Sequence, residues 1–139
     1  MDIIKLNDDL CELVSRRNLL ASIDYNDEAY DRVEEDLHDY EDGFLEKYDD
    51  YLESAFQTVH DEHCPDTDVL LPIAYIAKKY IEKTDKSGNM IYGVGPYEGV
   101  LVEADNYLKN DVRLFIVPSP TRIVMTIDNK RPEVVWEAK

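Results

Sequence analysis

The chain has 139 residues, 44% of them hydrophobic by type, and sets 31 Asp and Glu against 15 Lys and Arg for a formal net charge of −16. That length suits one domain with a core of its own, and the apolar content excludes a disordered chain in spite of the charge. The acidic balance excludes direct binding to nucleic acid or to an anionic lipid surface and favours a cationic partner.

Cys11 and Cys64 are too few and too far apart in sequence to build a disulfide framework, so a reducing, cytoplasmic setting is expected. The N-terminus, MDIIKLNDDL, brings acids early and has no basic start followed by an apolar stretch, so no secretory leader is expected. The longest apolar run, Val69 to Ala77, has nine residues; a membrane-spanning helix needs about 20.

In the first segment Ile3, Leu6, Leu10, Leu13, Val14 and Leu20 recur at spacings of three and four, which predicts an amphipathic helix over about residues 2–20. After a break at Ser22–Asn26, a second helix is expected to start near Asp24 or Asn26, with Asp27 and Glu28 in its first turn. Its apolar residues, from Tyr30 and Val33 through Leu37, Tyr40, Phe44 and Tyr48 to Val59, share one arc, and the acids fall on the remaining surface. Unbroken to residue 63, such a helix would be about 55 Å long, beyond the span of a domain this size. Two readings follow. Either Gly43 breaks or kinks the helix, or the helix protrudes and pairs with a second copy in a homodimer through Tyr48, Tyr51, Leu52 and Phe56.

Pro65 is expected to end that helix, and Thr67 or Asp68 to cap a third over Val69–Lys83, apolar on most sides and so central. From Met90 onward β-branched and aromatic runs take over. MIYGV, GVLVEA, VRLFIV, RIVMTI and EVVW read as strands separated by turn-rich connections, which predicts antiparallel pairing. The expected architecture is one α+β domain over residues 1–139: three N-terminal helices over 1–83, the second long and acidic, packed on an antiparallel sheet of about five strands over 90–139.

No catalytic signature stands out. His60 and His63 at i, i+3 with Cys64 next to them resemble metal ligands, but no second cluster at a recognised spacing completes a site, and the reading preferred is solvated histidines at a polar helix end. Tyr92–Gly99, YGVGPYEG, has three glycines yet lies between strands and opens no helix, so it reads as a hairpin turn and not as a phosphate loop. Three His and two Cys fit no defined nucleophile and base order. The sequence calls for no cofactor and no metal.

The charge is located, not spread. Between Asp24 and Asp68 there are 18 Asp and Glu against only Arg32 and Lys47, and outside that window 13 acids and 13 bases cancel. Carboxylates three or four residues apart on a helix repel by a few tenths of a kcal/mol, a cost that a mixed surface would avoid. Tyrosines lie among them, a residue type enriched at binding hot spots. The expectation is an acidic interaction or inhibitor protein, of the immunity, anti-defence or nucleic-acid-mimic kind, that engages a basic, nucleic-acid-binding protein through Glu35, Asp39, Asp42, Glu46, Asp49, Asp50 and Glu53. The alternative is a small-molecule-binding or enzymatic domain with a pocket between the helices and the sheet.

Overall fold

The computed structural model describes residues 1–139. The fold is α+β: two helices, one of them long, with two antiparallel sheets of two and four strands. No helix is long and apolar enough to cross a membrane.

Helix α1 (Ile3–Ala21) begins where the Asp2 carboxylate accepts a hydrogen bond from the Lys5 amide at 3.0 Å, satisfying one of the free donors of the first turn. It buries Leu6, Leu10, Leu13 and Val14. Helix α2 (Tyr30–His63) starts later than expected. Asp24 and Asp27 cap turns of their own, accepting from the Asn26 amide at 2.9 Å and the Ala29 amide at 2.8 Å, so the helix begins only past them.

At 34 residues α2 is about 51 Å long, and it runs through Gly43 without a break. Open space surrounds that glycine, so nothing forces a bend. The length is absorbed by dividing the helix between two neighbours. Along its first half α1 packs antiparallel: the Arg16 guanidinium lies 4.6 Å over the Tyr40 ring, Arg17 pairs with Glu41 at 3.0 Å, and the Tyr48 hydroxyl donates to the Asp9 carboxylate. Along its second half Phe56 stacks on Tyr75 with ring centroids 3.7 Å apart, and Tyr51 meets the edge of Trp136 at 5.9 Å. Tyr48, Leu52 and Phe56, expected to be left bare for a second copy, are therefore covered by their own chain, at 4%, 1% and 0% exposure, and Tyr51 is half-buried. The apolar stripe that called for a dimer is absent from the surface.

The expected third helix does not form. Val69–Lys83 instead runs as an extended strap with one 3₁₀ turn at Pro72–Tyr75, then enters strand β1 (Tyr80–Thr84). Proline holds the preceding residue out of the helical region, and Leu71 sits at φ −60°, ψ 144°. Tyr75, Ile76, Ala77 and Tyr80 fill the core from this strap. A short apolar run has no period that separates a buried helix from a buried strap.

Strand β1 pairs with β2 (Met90–Val94), so β2 is withdrawn from the expected five-stranded sheet. The remaining strands, β3 (Val100–Val102), β4 (Val112–Val117), β5 (Arg122–Ile127) and β6 (Lys130–Glu137), form a meander in chain order. Tyr92–Gly99 is consequently no hairpin turn: Tyr92, Gly93 and Val94 finish β2, and the residues from Gly95 to Gly99 carry the chain from one sheet to the other. Gly99 in this crossing has φ +88°, and a Cβ there would lie 2.5 Å from the Leu114 carbonyl oxygen, so only glycine fits. The β5–β6 hairpin turns on Asp128 and Asn129, both at positive φ, the backbone of a two-residue turn that matches strand twist.

A bulge assigns the two faces of the larger sheet. Ile123 pairs with Trp136 and Val124 with Val134, leaving Val135 as the extra residue. Trp136 is thereby turned to the side of α2, together with Ile123, Ile116, Leu114 and Met125. The opposite face carries Val117, Phe115, Val124 and Val134, and the β1–β2 hairpin stands beside it. Asn18 of α1 anchors that hairpin by clasping the Tyr80 backbone, accepting from its amide at 2.7 Å and donating to its carbonyl at 3.1 Å. The Tyr80 hydroxyl donates to the Ile116 carbonyl at 2.6 Å and accepts from the Ala77 amide at 3.1 Å.

Candidate interaction surface

Glu35, Asp39, Asp42, Glu46, Asp49, Asp50 and Glu53 all lie on α2. At about 100° per residue they occupy an arc of roughly 100°, opposite the buried stripe of Leu37, Phe44, Tyr48, Leu52, Ala55 and Val59. The core stripe dictates this: once it is turned inward, the acids have only the solvent side. Glu35, Asp39, Asp42, Glu46 and Asp50 are exposed, while Asp49 and Glu53 are half-buried.

None of the seven has a cationic partner in the chain. The ion pairs of the helical layer are Arg16 with Glu12, Arg17 with Glu41 and Lys47 with Asp9, so both arginines of α1 and the lysine of α2 are spent on carboxylates outside the seven. At the C-terminal end of the stripe the repulsion is visible in one pair. The Glu53 carboxyl is held above its ordinary pKa, first by the negative charge of Asp49 and then by a hydrogen bond with that residue. Asp49 Oδ1 is shut off from water and has no hydrogen-bond donor in the chain.

Asp49, Asp50 and Glu53 bring carboxylate oxygens within 4.8 Å of one another, the one group of acids, cysteines and histidines close enough to approach a cation. All three come from a single turn of helix, and no histidine, cysteine or further carboxylate joins them.

The His60, His63 and Cys64 group is taken apart by the fold. His60 is not solvated at a helix end; it is 1% exposed, with Nδ1 2.8 Å from the Thr67 carbonyl oxygen and Nε2 2.8 Å from the Tyr75 hydroxyl. A carbonyl only accepts, so Nδ1 carries the proton, Nε2 of the neutral ring accepts from Tyr75, and the Tyr75 oxygen accepts from the Leu70 amide at 3.1 Å. Both nitrogens are thus used in pinning the strap to α2. Cys64 is buried, and burial pushes its thiol up to about 11, away from the thiolate a metal would need. His63 is half-buried, and the acidic side chain within 4 Å of it is Glu62, at 3.8 Å.

Sequence reasoning missed Asp9, which holds α2 from α1. It takes the Tyr48 hydroxyl on its carboxylate, the Tyr40 hydroxyl on its backbone carbonyl at 2.9 Å and Lys47 at 3.9 Å. Burial, followed by the charges of Asp9 and Glu12, pushes Tyr40 up to about 12. Asp9 follows Asp8 in an acidic run, and no local pattern separates the structural carboxylate from the solvated one. Also missed was a cavity on the outer face of the sheet. The expected pocket site, between helices and sheet, is taken up by core side chains such as Tyr51, Phe56, Ile123 and Trp136.

Comparison with protein-family models, with curated proteins and with solved structures finds no match to this chain.

Proposed function

We propose that the protein is an acidic interaction module that binds and occludes the basic surface of a nucleic-acid-binding protein. The observation that carries this reading is the seven-carboxylate stripe without a counter-cation on one face of α2. From Glu35 to Glu53 it extends about 27 Å, with a mean spacing of about 4.5 Å of axis between carboxylates. One strand of duplex DNA places a phosphate about every 3.4 Å of axis. A groove lined with Lys and Arg to track a phosphate strand would meet a similar linear charge on this helix.

Helix rigidity supports the same reading. Carboxylates fixed on a packed helix lose little further freedom on binding, which lowers the entropic cost of association. Such a stripe steers a basic partner by long-range attraction, and salt weakens it chiefly through the on-rate.

The test uses charge reversal and salt together. A variant with Glu35, Asp39, Asp42, Glu46 and Asp50 changed to Lys keeps the buried stripe intact, and its circular dichroism should match the parent. The parent should capture a basic DNA-binding protein from its host extract at about 50 mM salt and release it at about 200 mM. Duplex DNA should displace the captured protein, and the variant should capture none. Capture that is indifferent to salt, to duplex DNA, or to the reversal of all five charges would remove the proposal.

A further inference from the structure

On the face of the larger sheet turned away from α2 there is a cavity of about 560 Å³. That size lies within the ~300–1,000 Å³ of small-molecule sites. Its floor is apolar and comes from three adjacent strands: Phe115 and Val117 of β4, Val124 of β5 and Val134 of β6. The side wall is the end of the β1–β2 hairpin and the glycine-rich crossing after it, with Lys83, Tyr92 and Gly93–Pro96. Gly93 and Gly95 put no side chain into the space, and neither has an atom of another segment within 4 Å of where a Cβ would stand.

The charges on this wall are the opposite of those on the rest of the molecule. In a chain of net charge −16 the lining has two charged side chains, Lys83 and Arg122, and no carboxylate. Neither cation has a carboxylate within 4 Å, since the ion pairs of the protein lie elsewhere. Glu137 stands across the ladder from Arg122 but is exposed and makes no ion pair with it. Arg122 is half-buried, and its Nη1 donates to the Pro118 and Pro120 carbonyls at 3.0 and 2.9 Å, which fixes the guanidinium while its Nε and Nη2 have no partner in the chain. A half-buried arginine and an exposed lysine beside an apolar floor, with donors to spare, are the elements that recognise an anion attached to an apolar body.

We propose that this cavity binds a small organic monoanion, a carboxylate or sulfonate with an aliphatic or aromatic body, whose apolar part lies on the valine floor and whose head group is drawn to Lys83 and Arg122. Thr126 and the Asn129 side chain, both on the lining, add uncharged hydrogen-bonding groups for a second polar atom. None of the seven carboxylates of the α2 stripe is among the residues that line this cavity. The site does not depend on the interaction proposed for α2.

The test is an NMR titration of the ¹⁵N-labelled full chain with octanoate, repeated with octylammonium as a probe of equal length and opposite charge. Octanoate should produce saturable shifts at the amides of Gly93, Gly95, Val124 and Val134, and octylammonium should not. Lys83→Gln, at an exposed residue without a structural partner, should weaken octanoate by about three- to tenfold. Arg122→Gln should weaken it at least as much, and Val134→Trp, at a half-exposed floor position, should block it with the rest of the spectrum unchanged. The proposal is overturned if octanoate gives no saturable shifts, if the shifts fall elsewhere, or if octylammonium binds equally. It is overturned too if both charge-removing variants keep the parent affinity while Val134→Trp blocks, because the cavity would then be apolar without preference for an anion.

Discussion

The Tyr75 hydroxyl donates to His60 Nε2 across 2.8 Å and so joins a segment with almost no regular structure to the last turn of the longest helix. Around this contact Phe56 stacks on the same tyrosine, and the Thr67 carbonyl and Leu70 amide complete the hydrogen bonding. Every polar atom of the two rings has a partner inside the core. Burial explains why this is needed: an unpaired polar group there costs about 1–3 kcal/mol.

Tyr75→Phe keeps the stacking surface and removes both the donor to His60 and the acceptor for Leu70. The expected loss is about 1–3 kcal/mol of unfolding free energy, measured by urea denaturation. In the parent protein the imidazole ¹⁵N shifts should report His60 as the Nδ1–H tautomer. A ring protonated on Nε2 alone would leave the Thr67 carbonyl without its donor and would show the network to be wrongly drawn.

Gly43 lies inside α2 with helical geometry and nothing near its missing side chain. Gly43→Ala should therefore stabilise the protein by about 0.5–1 kcal/mol, because alanine loses less backbone freedom on folding. The urea midpoint should rise with the slope unchanged. Destabilisation would mean that the glycine allows a bend, and that α2 is not one continuous helix in solution.

Glu53 provides a pH test of the acidic stripe. Its carboxyl pKa is raised in the folded protein, first by Asp49, so the folded state holds this proton more tightly than the unfolded chain does. Ionising it therefore costs stability: the penalty is absent when both states are protonated, sets in as pH rises through the raised value, and is complete at neutral pH. Glu53→Gln should raise the melting temperature at pH 7 and lose most of that advantage near about pH 4. An equal difference at both values would show that Asp49 and Glu53 do not repel in the folded protein.

Wherever periodicity ran long enough, the sequence alone was sufficient. Helix α1, the body of α2, the identity of its buried stripe and the solvent side of its acids follow from apolar spacing, since a helix fixes which residues share a face. Strands β2 to β6 follow from β-branched runs set between turn residues, and the antiparallel sense follows from their short connections. Tertiary packing decided what local pattern leaves degenerate. Val69–Ala77 is apolar enough for either a helix or a strap; Pro72 and the space between α2 and the sheet made it a strap, which handed Tyr80–Thr84 to β2 and divided the sheet in two. The length of α2 argued for a dimer only until α1 and the strap were found to share it, because burial depends on neighbours that lie far away in sequence. Lys83 and Arg122, 39 positions apart, carry no common signal along the chain. They line one cavity because the crossing at Gly99 sets the hairpin beside the outer face of the sheet, and only the folded chain brings these two cations to an apolar floor.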